Sequence, residues 1–141
     1  MASTVDNRPT GEKLPSAMAR QPILVSFDVD TTVTANQLAQ NETMSLGTLE
    51  AGDTVLNAFV YVSTADTSVT AIDVGYTTDG TTGAQLVDGA TVATTGYKAG
   101  LVASYPIVIT ADSIIVLTNK DADTVNEAII KVYVLVVKMT P

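Results

Sequence analysis

Two pairs of carboxylates lie close enough in sequence to share a task, Asp28 with Asp30 and Asp121 with Asp123. Acid-base cleavage of a glycosidic bond needs two carboxyl groups held at a fixed separation. Residues two apart in a strand point the same way, so Asp28 and Asp30 share a face. That face alternates with an apolar one, and outward acids on a half-buried strand are ordinary. The second pair belongs to the run Asp-Ala-Asp-Thr-Val-Asn-Glu at 121–127, which offers several oxygen ligands. It lacks the spacing and central glycine of a calcium loop, and a plain acidic turn accounts for it.

Other chemistries lack their reagents. The chain has no His, Cys or Trp, which removes imidazole bases, thiolate nucleophiles, disulfides and nearly every transition-metal site. A serine nucleophile would need Lys or an acid as its base, and no Ser-x-x-Lys spacing occurs. Neither Gly-x-Gly-x-x-Gly nor Gly-x-x-x-x-Gly-Lys is present to cradle a phosphate. Phe27, Phe59, Tyr61, Tyr76, Tyr105 and Tyr133 fall among apolar neighbours and read as core or interface anchors. Tyr97, in a turn-rich stretch, is the exception that suits stacking on a ligand. The expectation is a protein that is not an enzyme and holds no metal or other cofactor.

The elements that position these residues are strands. Threonine, valine and isoleucine make up 49 of 141 residues, the composition of a sheet protein. That length suits one domain, and 46% hydrophobic residues are too many for a disordered chain. The longest unbroken apolar run, Val132 to Val137, is far shorter than the ~20 residues of a membrane helix, so no membrane partner is expected. Met1 to Arg20 has no apolar stretch that would act as a secretory signal, and synthesis in the cytosol is expected.

Period-2 alternation begins at Ile23, with Ile23, Val25, Phe27 and Val29 on one face and Ser26, Asp28 and Asp30 on the other. Further strands are predicted at 43–49, at 54–63 with Leu56, Ala58, Val60 and Val62 sharing a face, and at 69–77 with Ile72, Val74 and Tyr76 inward. The spacing continues with a broken strand at 85–92, a loop over 93–104, and strands at 105–109, 113–119 and 127–138. About eight antiparallel strands, turns between them and no ordinary helix predict an all-β sandwich of the jelly-roll type.

In the last strand Ile130, Val132, Val134 and Val136 occupy one parity, and Ile129, Tyr133, Leu135 and Val137 the other. One apolar face suffices for a sandwich strand, so the second calls for a cover. Another subunit, the N-terminal segment or the domain's own loops would serve, and Ile130, Val132, Val134 and Val136 are taken as a candidate oligomer interface.

Charge separates an arm from a body. Residues 1–21 carry three cations against two acids, net +1, whereas 22–141 carry four lysines against thirteen acids, net −9. An acidic body repels phosphate backbones, so nucleic acid is an unsuitable partner. The first 21 residues, with Pro9 and Pro15 and no sustained period, read as an extended N-terminal arm. The division is therefore an arm over 1–21 and a β-sandwich over 22–141.

With the strands placed, the order of motifs resembles the small jelly-roll decoration, or cement, proteins of tailed-bacteriophage capsids. The likeness runs through Leu46-Gly-Thr-Leu-Glu-Ala-Gly52, Val60-Tyr-Val-Ser-Thr64, Ile72-Asp-Val-Gly-Tyr76, Leu86-Val-Asp-Gly89, and Thr110-Ala-Asp112 before Ile114-Ile-Val-Leu117. Glu50 stands where such turns often carry proline. The resemblance implies a structural protein of the virion, made in the host bacterium and added outside the shell, where it stabilises contacts between major capsid proteins. It also implies a homo-oligomer, commonly a trimer, without catalytic residues. The arm lies outside the resemblance; its prolines, its small apolar area and its net +1 charge against the −9 body make it the candidate capsid-binding element, with Arg8, Pro9, Lys13, Leu14, Pro15, Met18 and Arg20 as its candidate contacts. The alternative is a receptor- or glycan-binding β-sandwich module of a phage fibre, which would show clustered exposed aromatics.

Overall fold

The computed structural model describes residues 21–69, 71–80, 84–99 and 105–138. Nine strands are found among them: β1 (Pro22–Asp30), β2 (Thr43–Leu49), β3 (Thr54–Thr64), β4 (Ile72–Thr77), β5 (Val87–Ala90), β6 (Gly96–Ala99), β7 (Ile107–Val108), β8 (Ser113–Asn119) and β9 (Ile129–Val137). A single 3-10 turn, Thr34–Asn36, is the one helical element described.

Pairing is antiparallel throughout and nested, β1 with β9, β2 with β8, β3 with β6 and β4 with β5. The resulting ribbon rolls up so that β9 also joins β3 and β8 joins β4. Two sheets result, ordered β1-β9-β3-β6 with β7 also on β3, and β2-β8-β4-β5. Successive strands therefore switch sheets repeatedly, which is the jelly-roll winding.

The core lies between the sheets. Val55, Ala58, Val60 and Val62 of β3 and Ile130, Val132, Val134 and Val136 of β9 meet Ile72 and Val74 of β4 and Ile115 and Leu117 of β8. Each fully buried Val, Leu or Ile contributes ~1.5–3 kcal/mol relative to an exposed one. A bulge modifies the predicted face of β3. Asn57 pairs with Leu135 while Val55 pairs with Val136, so Leu56 is the extra residue and Val55, not Leu56, turns inward.

Two other expectations change. The stretch 93–104, read as a loop, contains β6, whose Tyr97 lies opposite Tyr61 and Lys98 opposite Val60. Gly-Tyr-Lys-Ala has no alternating apolar pattern, and its strand conformation comes from pairing with β3. The second change concerns β9. Ile130, Val132, Val134 and Val136 are at most 3% exposed within the single chain, so the domain's own core takes up the parity proposed for an oligomer interface. Ile129, Lys131, Tyr133, Leu135 and Val137 are the half-exposed face.

Polar clasps fix the ends of the sandwich. Asp66, fully buried, accepts hydrogen bonds from Ser68 N and Oγ and from the amides of Asn126 and Glu127. These contacts tie the β3–β4 loop to the β8–β9 loop. The Asn119 amide donates to the carbonyls of Leu38 and Asp123. At the other end, buried Asp53 takes Lys138 Nζ at 2.6 Å, and the same ammonium lies 3.1 Å from Glu50.

Candidate functional site

The outer face of the five-stranded sheet gathers side chains that lie far apart in sequence. On β3, Phe59 and Tyr61 alternate with inward Ala58, Val60 and Val62 and therefore face out. Tyr133 does the same between Val132 and Val134 on β9. Register sets Tyr133 opposite Phe59 and Lys131 opposite Tyr61, while Tyr97 of β6 faces Tyr61 from the other side. The rings touch: Phe59 stacks on Tyr133 at 4.8 Å between centroids, Tyr97 meets Phe59 edge-on at 5.9 Å, and Tyr61 and Tyr97 tilt together at 4.7 Å. Tyr97 is 69% exposed.

Beside the rings, β1 supplies Asp28, opposite Lys131. Their charged groups are 3.3 Å apart, with the Asp28 side chain 82% exposed. Asp30 lies further along the strand and is half-buried. Its carboxylate accepts hydrogen bonds from the backbone amide and hydroxyl of Thr32, and Asn36 Nδ2 donates to its carbonyl. Asp28, Asp30, Asn36, Tyr61, Tyr97 and Lys131 border an open groove of about 620 Å³. The sequence pairing of Asp28 with Asp30 thus survives as a shared groove wall, with a lysine between the acids and the rings.

The other candidates lie elsewhere. Asp121 and Asp123 are in the β8–β9 loop, where Asp121 accepts the Asp123 amide at 3.0 Å and donates its own amide to Asn119 Oδ1. That is a side-chain-capped turn, and among the described residues no three His, Cys, Asp or Glu side chains converge on a common point. The arm candidates Arg8, Pro9, Lys13, Leu14, Pro15, Met18 and Arg20 lie outside the described residues.

Phe59, Tyr61, Tyr133 and Lys131 escape a strand-by-strand reading as site residues. Parity marks Phe59 and Tyr61 as outward, but in β9 both parities are apolar, and only the adjacency of β1, β9, β3 and β6 turns Lys131 and Tyr133 to the same face and brings the four together. Two further ionisable groups serve the scaffold. Burial pushes the Tyr105 phenol up to about 12, and it donates to the Leu86 carbonyl at 2.6 Å. Asp73 is raised by burial, with Asp88 adding to the effect, although the Gly89 amide and Lys120 oppose it.

No known family profile matches the chain, and no curated protein matches it in sequence. Solved structures do share its fold. The acidic stable capsid structure of Helicobacter pylori bacteriophage KHP30 contains a chain that is 18% identical, with a TM-score of 0.54 over 86% of this chain and 94% of that one. A chain in the capsid of Ralstonia phage GP4 is 15% identical, with a TM-score of 0.60 over 85% and 86%. A chain of the cyanophage Pam1 capsid asymmetric unit is also 15% identical, with a TM-score of 0.50 over 84% and 85%.

Proposed function

We propose that this chain is a structural protein of a bacteriophage virion. It acts as a cement or decoration protein that joins the outside of the shell and braces contacts between major capsid proteins. The observation that carries this reading is the extent of the shared jelly roll. It spans at least 84% of this chain and 85% of each similar chain, all three taken from phage capsids. The likeness therefore runs over most of each matched chain and is not confined to one module of a larger one. The motif order from Leu46 to Leu117 supports the decoration role specifically.

A protein that binds only the assembled shell stabilises it by mass action, by about 2.7 kcal/mol at a hundred times Kd. No chemistry is needed for that task, and we infer no catalytic activity. The arm, with Arg8, Lys13 and Arg20 among its charges, is the proposed contact with the major capsid protein. The oligomer is proposed to be a trimer, assembled through the Leu135 and Val137 end of the outer parity of β9. At the end of the sheet away from the groove, Leu24 pairs with Leu135, and Leu24 is 52% exposed. Burial against a second copy would remove that apolar surface from water.

Co-sedimentation tests the reading. Purified full-length protein mixed with capsids that lack it should pellet with them to saturation and delay their thermal rupture. Capsids that pellet without it at micromolar concentration would overturn the proposal.

A further inference from the structure

We propose that the groove between the β1 carboxylates and the tyrosines of β3, β6 and β9 binds a neutral oligosaccharide. Three observations meet there. First, the rings of Tyr61, Tyr97 and Tyr133 present aromatic surface, Tyr97 mostly open to water. The C–H face of a pyranose is weakly positive and apolar, and it stacks on the negative face of an aromatic ring. Second, hydrogen-bonding groups stand within the same groove: the Asp28 carboxylate, the Lys131 ammonium and the phenols. Sugar hydroxyls both donate and accept, so they match carboxylate acceptors and ammonium donors together. Third, the groove volume of about 620 Å³ lies within the ~300–1,000 Å³ of ordinary small-ligand sites.

Charge selects the class of ligand. Asp28 and Asp30, on a body of net charge −9, repel phosphates and acidic sugars. Lys131, 3.3 Å from Asp28, stands between the acids and the rings and repels a cationic peptide that would otherwise suit tyrosines and carboxylates. A neutral, hydroxyl-rich ligand meets neither penalty. The groove forms on the single folded chain, so the test needs no capsid.

The test is an NMR titration of the full-length protein with neutral oligosaccharides of glucose, galactose, mannose and N-acetylglucosamine at millimolar concentration. At least one should give saturable amide shifts confined to residues around Tyr61, Tyr97 and Lys131. Tyr97→Ala should weaken that binding about two- to tenfold, the worth of one aromatic contact, with Tyr97→Phe close to the parent. Asp28→Asn should also weaken it, which separates a sugar site from a merely apolar patch. Tyr97 is exposed enough for its variants to fold, and unchanged amide spectra elsewhere would verify this.

The proposal is overturned if no member of the panel gives saturable shifts with the folded protein. It is equally overturned if Tyr97→Ala and Asp28→Asn both bind like the parent, or if acidic oligosaccharides bind better than neutral ones. Two other occupants would be recognised directly. A peptide of residues 1–20 producing the same shifts would assign the groove to the arm, and loss of the oligomer in Tyr97→Ala would assign it to a second copy.

Discussion

The ring of Phe27 fills the space beside Gly47. A β-carbon on Gly47 would lie 2.7 Å from Cε1 and 2.9 Å from Cζ of that ring. Phe27 belongs to β1 and Gly47 to β2, the outer strands of the two sheets, so the contact closes one side of the sandwich. Gly47 also follows a register break after Ser45. Gly47→Ala should therefore destabilise the fold, at the lower end of the ~1–3 kcal/mol typical of overpacking, because the half-buried ring can swing aside. Urea denaturation reads the loss. Phe27→Leu in the same chain should relieve the clash, so the double variant loses less than the sum of the singles. Strict additivity would show that the two residues do not press on each other.

Asp66 predicts an acid limb in the stability profile. Burial alone would raise its pKa, but the amides of Asn126, Ser68 and Glu127 and the Ser68 hydroxyl outweigh it, and the net shift is downward. A carboxyl lowered in the folded state contributes stability that is fully present above its unfolded value of about 3.9 and is lost as pH falls through the folded value. Asp66→Asn turns a donor toward amides that need an acceptor and should cost ~2–3 kcal/mol at neutral pH. Thermal melts between neutral and acidic pH should show the variant's deficit shrinking toward the acid end. A deficit independent of pH would contradict the role assigned to the charge.

Asp73 should behave in the opposite sense. Its pKa is raised, chiefly by burial and further by Asp88, so its ionised form opposes folding above the folded value and the protein gains stability as pH falls through it. Asp73→Asn keeps an acceptor for the Gly89 amide, now 2.8 Å from Oδ1, and removes the charge. The variant should be at least as stable as the parent at neutral pH, with the difference vanishing in acid. A clear loss of stability at neutral pH in denaturant melts would contradict this.

Much of the scaffold is legible in the sequence because alternation is local. Val25 to Asp30 declares its two faces without help from the rest of the chain, although Ile23, on the same parity, is 49% exposed at the strand's start; the inward set Ile72, Val74 and Tyr76 is read the same way. In β9 both parities are apolar, so the sequence cannot say whether Val132 and Val134 or Tyr133 and Leu135 face the core. Their neighbours on β3 decide that, through Ala58, Val60 and Val62. Leu56 misleads because a bulge shifts the frame by one residue, and Gly96 to Ala99 form a strand only because β3 has a free edge to offer. The aromatic groove is a property of strand order, which no window of sequence contains.

Lys138 predicts an alkaline limb. The Asp53 carboxylate is its first cause of a raised pKa, burial opposes, and Glu50 adds to the rise. The stability it contributes is present below its unfolded value of about 10.4 and disappears as pH rises through the folded value. Asp53 is fully buried, but the lysine side chain is 33% exposed, and water screens part of the attraction. Lys138→Met should therefore cost about 1.5–3 kcal/mol and not the ~3–5 kcal/mol of a wholly buried pair. Melts above neutral pH should show the parent losing stability toward the variant's level; parallel curves would argue against the ion pair.

Removing residues 1–21 tests the proposed separation of folding from attachment. β1 begins at Pro22, which pairs with Val137, so the truncation leaves every described ladder bond intact. The melting temperature should stay within a few degrees of the parent. Capsid binding should fall sharply, because the arm's three cations are the densest positive charge on a chain whose remainder is net −9. In a trimer, three arms would act together, and once the first docks the next binds at a high effective concentration, a gain of about 10²–10⁴-fold over a single arm. If the chain forms the trimer proposed above, Leu24→Asp should dissociate it without unfolding the domain, and sedimentation would then fall from three times 14.6 kDa to one. Such a monomer keeps one arm and should bind shells weakly, between the parent and the truncation. If the truncated protein decorates capsids as well as the full chain at matched concentration, attachment belongs to a face of the sandwich and not to the arm.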